Sequence, residues 1–375
     1  MPFIMFALSS LARTLRVTTL SAQNQHALPI QSARHMSVAV STVMVKALRE
    51  ASGAPMMDCK KALGECNGSV DAAIDWLRAK GIARAAKNAD RVAQEGLVAV
   101  LNSQKGTTLV EINTETDFVS KNAGFHQFVS LVAKSAAAYD PAGEGTTVSL
   151  LPNGASATSI APDALLAANG GTVQNALGLV IASIRENIVI KRVLNLAPAP
   201  AASNPADLTV FSSYVHGRVK YDAATAEGLA AELVMGKVAS VVCLHAPGGA
   251  TTTAGEAVEE HGRRLAMHVV AAKPLFCSEA DLTEAFLSRE LAIMDEQMAA
   301  DEKNAAKPAQ ILVRIREGKI NKRLSEVCLA SQPHVVEEGS HAVHKVLQAA
   351  GKGLGLAGDL EVTYFQRWGL GEESN

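Results

Sequence analysis

Aromatic residues are scarce in this chain of 375 residues, at 4%. Any hydrophobic core must therefore be built from Ala, Val, Leu and Ile, which the 48% hydrophobic content supplies. Cysteine is rarer still. Cys59, Cys66, Cys243, Cys277 and Cys328 are odd in number, scattered, and never spaced C-x-x-C. That pattern excludes a disulfide framework and offers no zinc-ligand spacing, so reduced and mostly buried thiols are expected. Charged residues make up 19% and the net charge is −2, without the basic excess of a duplex binder, so no direct nucleic-acid partner is expected. Beyond the N-terminus no long uncharged apolar run suggests a membrane span.

Acidic residues are missing from one region altogether. No Asp or Glu precedes Glu50, while Arg13, Arg16 and Arg34 are spread through Ser, Thr, Leu and Ala. This is the chemistry of an organelle transit peptide, assigned to residues 1–36 with removal near Arg34 to Ser37. A mitochondrial (matrix) address is favoured over a plastid one. A secretory signal fits less well, because Arg13 and Arg16 follow the apolar stretch Phe3 to Leu11 rather than precede it.

Enzyme signatures are also lacking. Gly351, Gly353, Gly355 and Gly358 do not form G-x-x-x-x-G-K-[ST], and too few residues follow them for a dinucleotide unit. A flexible loop before the last strand is expected there. His341 and His344 are spaced H-x-x-H, but no intervening Glu and no third ligand accompany them. No G-x-S-x-G occurs. No cofactor, resident metal or tightly bound small molecule is expected.

What is present reads as an α+β protein. Residues 41–91 predict three short helices. Ser41 or Thr42 caps the first, Gly53 ends it, Pro55 sits in the first turn of the second, Gly68 stops that one, Ser69 caps the third, and Lys80-Gly81 closes it. At least one of Met56 and Met57 should face the bundle core. Residues 95–196 form a first α+β subdomain, with strands at Gly96 to Leu101, Thr107 to Asn113 and Ile188 to Leu196. Its helices fall near Asn122 to Ala138 and Val173 to Glu186, and Asp140 to Pro162 reads as loop. The Pro- and Ala-rich stretch 197–205 is a stiff linker. Residues 207–368 form a second α+β subdomain. Its strands lie at Leu208 to Val215, Val238 to Leu244 and Leu360 to Phe365, and one helix spans Glu256 to Ala272. A projecting helical hairpin is expected near 282–324.

Several stretches resemble the elongation factor Ts family, in the family's order. They are Val45 to Leu63, Ile112 to Phe125, Glu186-Asn187-Ile188 with Lys191-Arg192, Ser213 to Gly217, Ala266 to Val269 with Lys273-Pro274, Glu317 to Lys319, and Gln332-Pro333. The resemblance covers about Val43 to Trp368. It implies a guanine-nucleotide exchange factor that binds the GDP form of elongation factor Tu, here an organellar one, and does no bond chemistry. It also implies that the first bundle is similar to a ubiquitin-associated domain and docks on the partner's nucleotide domain through Lys46, Arg49, Met56 and Met57. Thr116, Asp117, Phe118 and Val119 would disturb the partner's Mg²⁺ site, and His216 would touch another partner domain. Read without the family, Asp117 caps the next helix, Phe118 packs inward, and His216 is structural. The competing function is a scaffold that binds elongation factor Tu without exchange. Three departures from the family stand out. Pro55 and Arg185 each replace a frequent Gly, and Arg218 to Gly236 is extra and expected to be peripheral.

Overall fold

The computed structural model describes residues 40–103, 105–198, 206–220, 232–249, 252–301, 307–337, 339 and 341–373. The transit-peptide segment, most of the 197–205 linker and residues 221–231 lie outside them.

Three helices open the described chain: α1 (Thr42–Ser52), α2 (Met56–Glu65) and α3 (Val70–Asn88). The Ser41 hydroxyl accepts the Met44 N–H at 3.2 Å, and Gly53 ends α1 in the left-handed region at φ 64°, where a Cβ is unfavourable. Pro55 is the residue before α2 rather than in its first turn, and its carbonyl accepts the Cys59 N–H. Val45, Leu48, Cys59, Ala62, Leu63, Ala73 and Leu77 fill the small core. Helix α3 does not stop at Gly81. It runs seven residues further, and Gly81 serves a different purpose, the close approach of another helix.

That other helix is α5 (Pro162–Ile184), which the sequence placed later, from Val173. Its length and composition would suit a membrane span. Non-helical backbone from Ala168 to Gly171, left-handed at Asn169, Gly170 and Gly171, breaks it in two. Neither piece reaches the roughly 20 residues a bilayer needs. The second piece crosses α3 with Gly178 against Gly81. A Cβ on Gly81 would lie 1.8 Å from the Gly178 carbonyl oxygen. Backbone therefore touches backbone, and no side chain larger than hydrogen fits.

Two antiparallel sheets lie between helical layers. The first has six strands in the order β3-β4-β5-β2-β1-β7, with β1 (Glu95–Ser103), β2 (Gly106–Thr114), β3 (Thr146–Leu150), β4 (Ser156–Ile160), β5 (Ile188–Ala197) and β7 (Leu233–Gly236). The second is β6-β8-β9, with β6 (Leu208–His216), β8 (Val238–Ala246) and β9 (Glu361–Gly369). Alternation assigns the faces. Leu97, Ala99 and Leu101 of β1 pack with Phe125, Phe128 and Val132 of α4 (Ala123–Ala137) and with α5. Val98 and Val100 point the other way, toward Val215, Ala239, Val241 and Trp368 of the second sheet. That sheet's far face carries Val242 and Leu244 against Val258, Leu265 and Val269 of α6 (Thr252–Ala272) and Leu347 of α9 (Val343–Gly353).

Several expectations fail here. Asp140 to Pro162 is not all loop, since it contains the β3–β4 edge hairpin. Four of the five β3 residues are exposed, so no apolar alternation marked it. The extra stretch is not wholly peripheral either. Its end is β7, whose Leu233 and Met235 are buried, and which pairs with β1 through Val100 and Val234. The second half of the chain thus completes the first sheet. Gly351 and Gly353 lie at the end of α9 rather than in a loop. His341 precedes that helix, and the Nδ1 of His344 is 2.8 Å from the Ala330 carbonyl.

The hairpin is present as α7 (Glu284–Ala300) and α8 (Ala309–Val327), tied by Arg316–Asp295 at 2.7 Å and Arg323–Glu290 at 3.0 Å. A buried pair closes the other end of the molecule. Glu111 accepts from Arg192 at 2.5 Å and from the Gly371 N–H at 3.0 Å, and Arg192 stacks on Trp368 at 4.6 Å. This holds the chain beyond β9 to the first sheet.

Substituting Gly81→Ala should cost about 1–3 kcal/mol by forcing α3 and α5 apart. Gly64→Ala, where nothing lies within 4 Å, should be neutral or slightly stabilising. Equal denaturation midpoints for the two variants would contradict the backbone-to-backbone crossing.

Candidate functional site

β2 and β5 pair so that Thr114 lies opposite Ile188. The residues just past that register meet across the gap, Glu115 and Thr116 on one side, Glu186 and Asn187 on the other. Glu186 grips Thr116 twice, accepting its N–H at 2.9 Å and its hydroxyl at 2.7 Å. In return Glu115 accepts the Asn187 N–H at 2.6 Å and an Arg91 guanidinium N–H at 3.3 Å, and the Asn187 amide donates to the Arg91 carbonyl at 3.0 Å. The Thr114 hydroxyl adds a bond to the Thr116 carbonyl at 3.0 Å. The chain leaving β2 is thereby fastened to the start of β5 and to the end of the bundle.

A short 3-10 turn, Val119–Lys121, then leads into α4. Ser120 bonds the Asp117 carbonyl through both its N–H at 3.2 Å and its hydroxyl at 2.6 Å. His126 on α4 is buried and its Nε2 lies 2.8 Å from the Ser120 carbonyl. The cap of α4 is Asn122, whose side chain accepts the Phe125 N–H at 3.1 Å. Asp117 therefore does not cap the helix. It is exposed, and Phe118 beside it is 76% exposed, so neither inward-packing alternative describes this loop. The Lys121 ammonium lies 6.0 Å from the Phe118 ring centre.

The four residues Thr116 to Val119 thus divide. Thr116 belongs to the stem, Asp117 and Phe118 form the outward tip, and Val119, 4% exposed, is a core residue beneath it. Sequence reasoning named all four together. It also quoted Glu115 and Glu186-Asn187 without assigning them a role, and gave Arg91 none. Only strand register reveals that these residues hold the stem.

The bundle presents a second surface. Lys46 and Arg49 on α1 are exposed, and so are both Met56 and Met57 at the start of α2, the latter at 74%. The expectation that one methionine faces inward is wrong, because Ala54, Cys59, Ala62 and Leu63 already fill that space. The bundle is anchored at Asp58, which receives Lys80 at 2.7 Å and Arg185 at 3.0 Å. Burial alone would raise the Asp58 pKa, but these two cations outweigh it and hold the carboxyl below its usual range. Arg185 itself sits at φ 69° at the end of α5, a left-handed position natural to glycine that costs another residue about 1 kcal/mol. Its guanidinium offsets that cost by joining core to bundle. A groove of about 360 Å³ runs from Gly53 past Phe128, Leu131, Leu179 and Val180 to Asn122 at the base of the tip.

His216 ends β6, exposed, with its carbonyl accepting the Lys237 N–H at 3.0 Å and its ring 6.5 Å from Tyr214. The Lys237 ammonium reaches Glu95 at 3.0 Å, and Glu95 lies opposite Thr114. His216 and the stem consequently occupy the same end of the paired sheets. Among the described residues no cluster of His, Cys, Asp and Glu is gathered as a metal site.

Thr116→Val keeps the side-chain shape and removes the hydroxyl bond to Glu186. The loop amides from Thr116 to Val119 should then exchange hydrogen about tenfold faster, matching a loss of ~1.4 kcal/mol. Unchanged exchange would show that the hydroxyl bond to Glu186 does not hold the stem.

A family model described as elongation factor TS matches residues 115–372. An elongation factor Ts of Methylorubrum extorquens (strain PA1) is 37% identical over 334 residues, covering 89% of this chain and 93% of the relative. An elongation factor Ts of Sphingopyxis alaskensis is 40% identical over 336 residues, and one of Caulobacter vibrioides 37% over 337, each with 89% and 93% coverage. With most of both chains aligned at this identity, and with the family model spanning the tip, the second sheet and the hairpin, the chain belongs to the elongation factor Ts family of translation elongation factors.

Proposed function

We propose that this protein is a guanine-nucleotide exchange factor of an organellar elongation factor Tu, acting in the mitochondrial matrix. The observation that carries this reading is the bare Asp117-Phe118 pair on a stem braced by Glu186 and Glu115. A G protein holds GDP through a phosphate-cradling loop and a Mg²⁺ that demands near-ideal octahedral geometry. Small displacements of that shell are therefore costly to nucleotide binding. Phe118 has the shape of a rigid apolar wedge, and Asp117 brings a carboxylate that competes for the waters and side chains around the ion. A braced stem matters, because a wedge on a slack loop would yield instead of displacing the partner.

The remaining surfaces supply affinity. Lys46, Arg49, Met56 and Met57 present two cations beside a flexible apolar pair, a combination suited to an adaptable contact on the partner's nucleotide domain. His216, at the same end of the sheets as the stem, would touch another domain of the partner. Val119 contributes from beneath by keeping the tip raised. Coupling is reciprocal: whatever weakens GDP on the partner also weakens this protein when GDP returns. The whole action is differential binding, without bond chemistry. The basic, acid-poor segment 1–36 supports the mitochondrial address.

With elongation factor Tu preloaded with fluorescent GDP, the mature chain should accelerate release in a saturable way. Phe118→Ala should slow that release roughly tenfold, about 1.4 kcal/mol, while weakening the complex by much less. Acceleration equal to that of the parent protein would remove the wedge, and none by the parent at saturation would leave only a scaffold. Residues 1–36 fused to a reporter should direct import into isolated mitochondria with cleavage near Arg34 to Ser37. A reporter left outside and intact would reject the address.

A further inference from the structure

Two motifs take no part in the exchange surface: Ala266 to Val269 on α6, and Gln332-Pro333 beyond α8. The fold brings them together around a buried polar contact. The Nε2 of His268 lies 2.9 Å from the Gln332 side-chain oxygen, and its Nδ1 accepts the Val335 N–H at 3.1 Å. His268 is fully buried. Because Nδ1 accepts a backbone N–H, the ring must be neutral with its proton on Nε2. Gln332 is oriented in turn, since its amide nitrogen donates to the Glu326 carbonyl in the last turn of α8 at 2.6 Å.

A second buried imidazole repeats the arrangement. His334 is 4% exposed, and its Nδ1 accepts the Val336 N–H at 3.2 Å and the Glu337 N–H at 3.3 Å. The two rings are 5.1 Å apart. The segment is closed on its other side by the His334 N–H bonded to the His341 carbonyl and the Val343 N–H bonded to the Gln332 carbonyl. Three consecutive amides, those of Val335, Val336 and Glu337, are thus held by imidazole nitrogens rather than by backbone carbonyls.

A nitrogen that accepts can be protonated, whereas a carbonyl cannot at ordinary pH. We propose that the segment Gln332 to Glu337 is a latch, fastened to α6 only while His268 and His334 are both neutral and released when they take up protons. Protonation at either Nδ1 sets N–H against N–H and puts charge on groups too buried to hydrate. Protonating both also places like charges 5.1 Å apart. The groups facing the pair are Arg264 and His261 on α6, which disfavour a further positive charge, and Glu337 on the segment, which favours it. Glu337 is largely committed to Arg264 at 2.9 Å, and Arg264 is shared with Glu260. From α8 the Glu326 carbonyl enters, through Gln332. Burial lowers the His268 pKa, against the Gln332 bond, and burial followed by the neighbouring His268 lowers that of His334 to about 4.

The sign follows. Groups whose folded pKa is depressed hold the latch fully above the free-histidine value near 6.5 and lose it progressively as pH falls toward the folded value. What opens is the connection between the hairpin and α9. The bonds of Leu275 and Phe276 to the Val327 carbonyl lie outside the segment and persist. The hairpin therefore loosens at one attachment rather than detaching.

Amide hydrogen exchange on the full chain tests the latch. Corrected for intrinsic rates and referred to β2, protection of Val335, Val336 and Glu337 should fall about twentyfold between about pH 7 and about pH 5 from His334 alone. His334→Asn offers an oxygen that can accept the same two N–H groups without titrating, and should cut the fall to the share that His268 contributes. Should that variant not close the segment at neutral pH, titration of the two ring resonances in the unaltered protein decides. Depressed values for both support the latch. Protection independent of pH in the unaltered protein, or both rings titrating near 6.5 with the segment still closed, would overturn it.

Discussion

The antiparallel register of β2 and β5 is the constraint on which the rest depends. With Thr114 opposite Ile188, the two strand ends deliver Glu115-Thr116 and Glu186-Asn187 to the same place. Each pair satisfies the other's backbone N–H groups with a carboxylate, a stronger arrangement than neutral hydrogen bonds would allow. A β-bulge between Glu111 and Ile112 shifts the pairing by one residue beside Lys191. It lets Ile190 and Val193 share the face that packs on α4 and α5. The same bulge region aims Arg192 at the buried Glu111, and so at the chain after β9. One strand pair therefore organises both the raised tip at one end and the terminal closure at the other.

The bundle's position follows from a contact with no side chain in it. Gly81 and Gly178 allow α3 and α5 to meet backbone to backbone. The Ser183 hydroxyl donates to the Gly53 carbonyl at 2.9 Å, and the Asp58 cluster joins bundle to core. Lys46, Arg49 and Met57 are thereby carried at a set place relative to Phe118. The proposed exchange role needs such a fixed relation, since slack between the two surfaces would absorb the displacement.

Much of the helical part was legible. Ser41, Gly53 and Ser69 act at helix ends through local chemistry that needs no distant partner. The long strands were legible as apolar runs, because β1 and β2 are covered on both faces and β5 is covered on both over its second half. The edge elements were not. β3 is held by one neighbour and faces water, so its Thr and Ser residues read as loop. β7 has only four residues, and its pairing partner β1 lies more than a hundred positions earlier. Helix α3 was cut short because Gly81 reads as a stop in isolation, yet it is required by a helix first seen far downstream.

Of the tip itself, the sequence alone determined that Thr116 to Val119 join a strand to a helix and carry one aromatic and one acid. Whether that aromatic faced water could not follow, since inward and outward packing share the same local pattern. Tertiary structure decided it. Asn122 took the capping role, Val119 filled the core beneath, and Glu186 pulled Thr116 into the stem, leaving Asp117 and Phe118 with no place inside. Caps and turns are set by neighbours within a few residues. Exposure at a loop is set by what the rest of the chain has already buried.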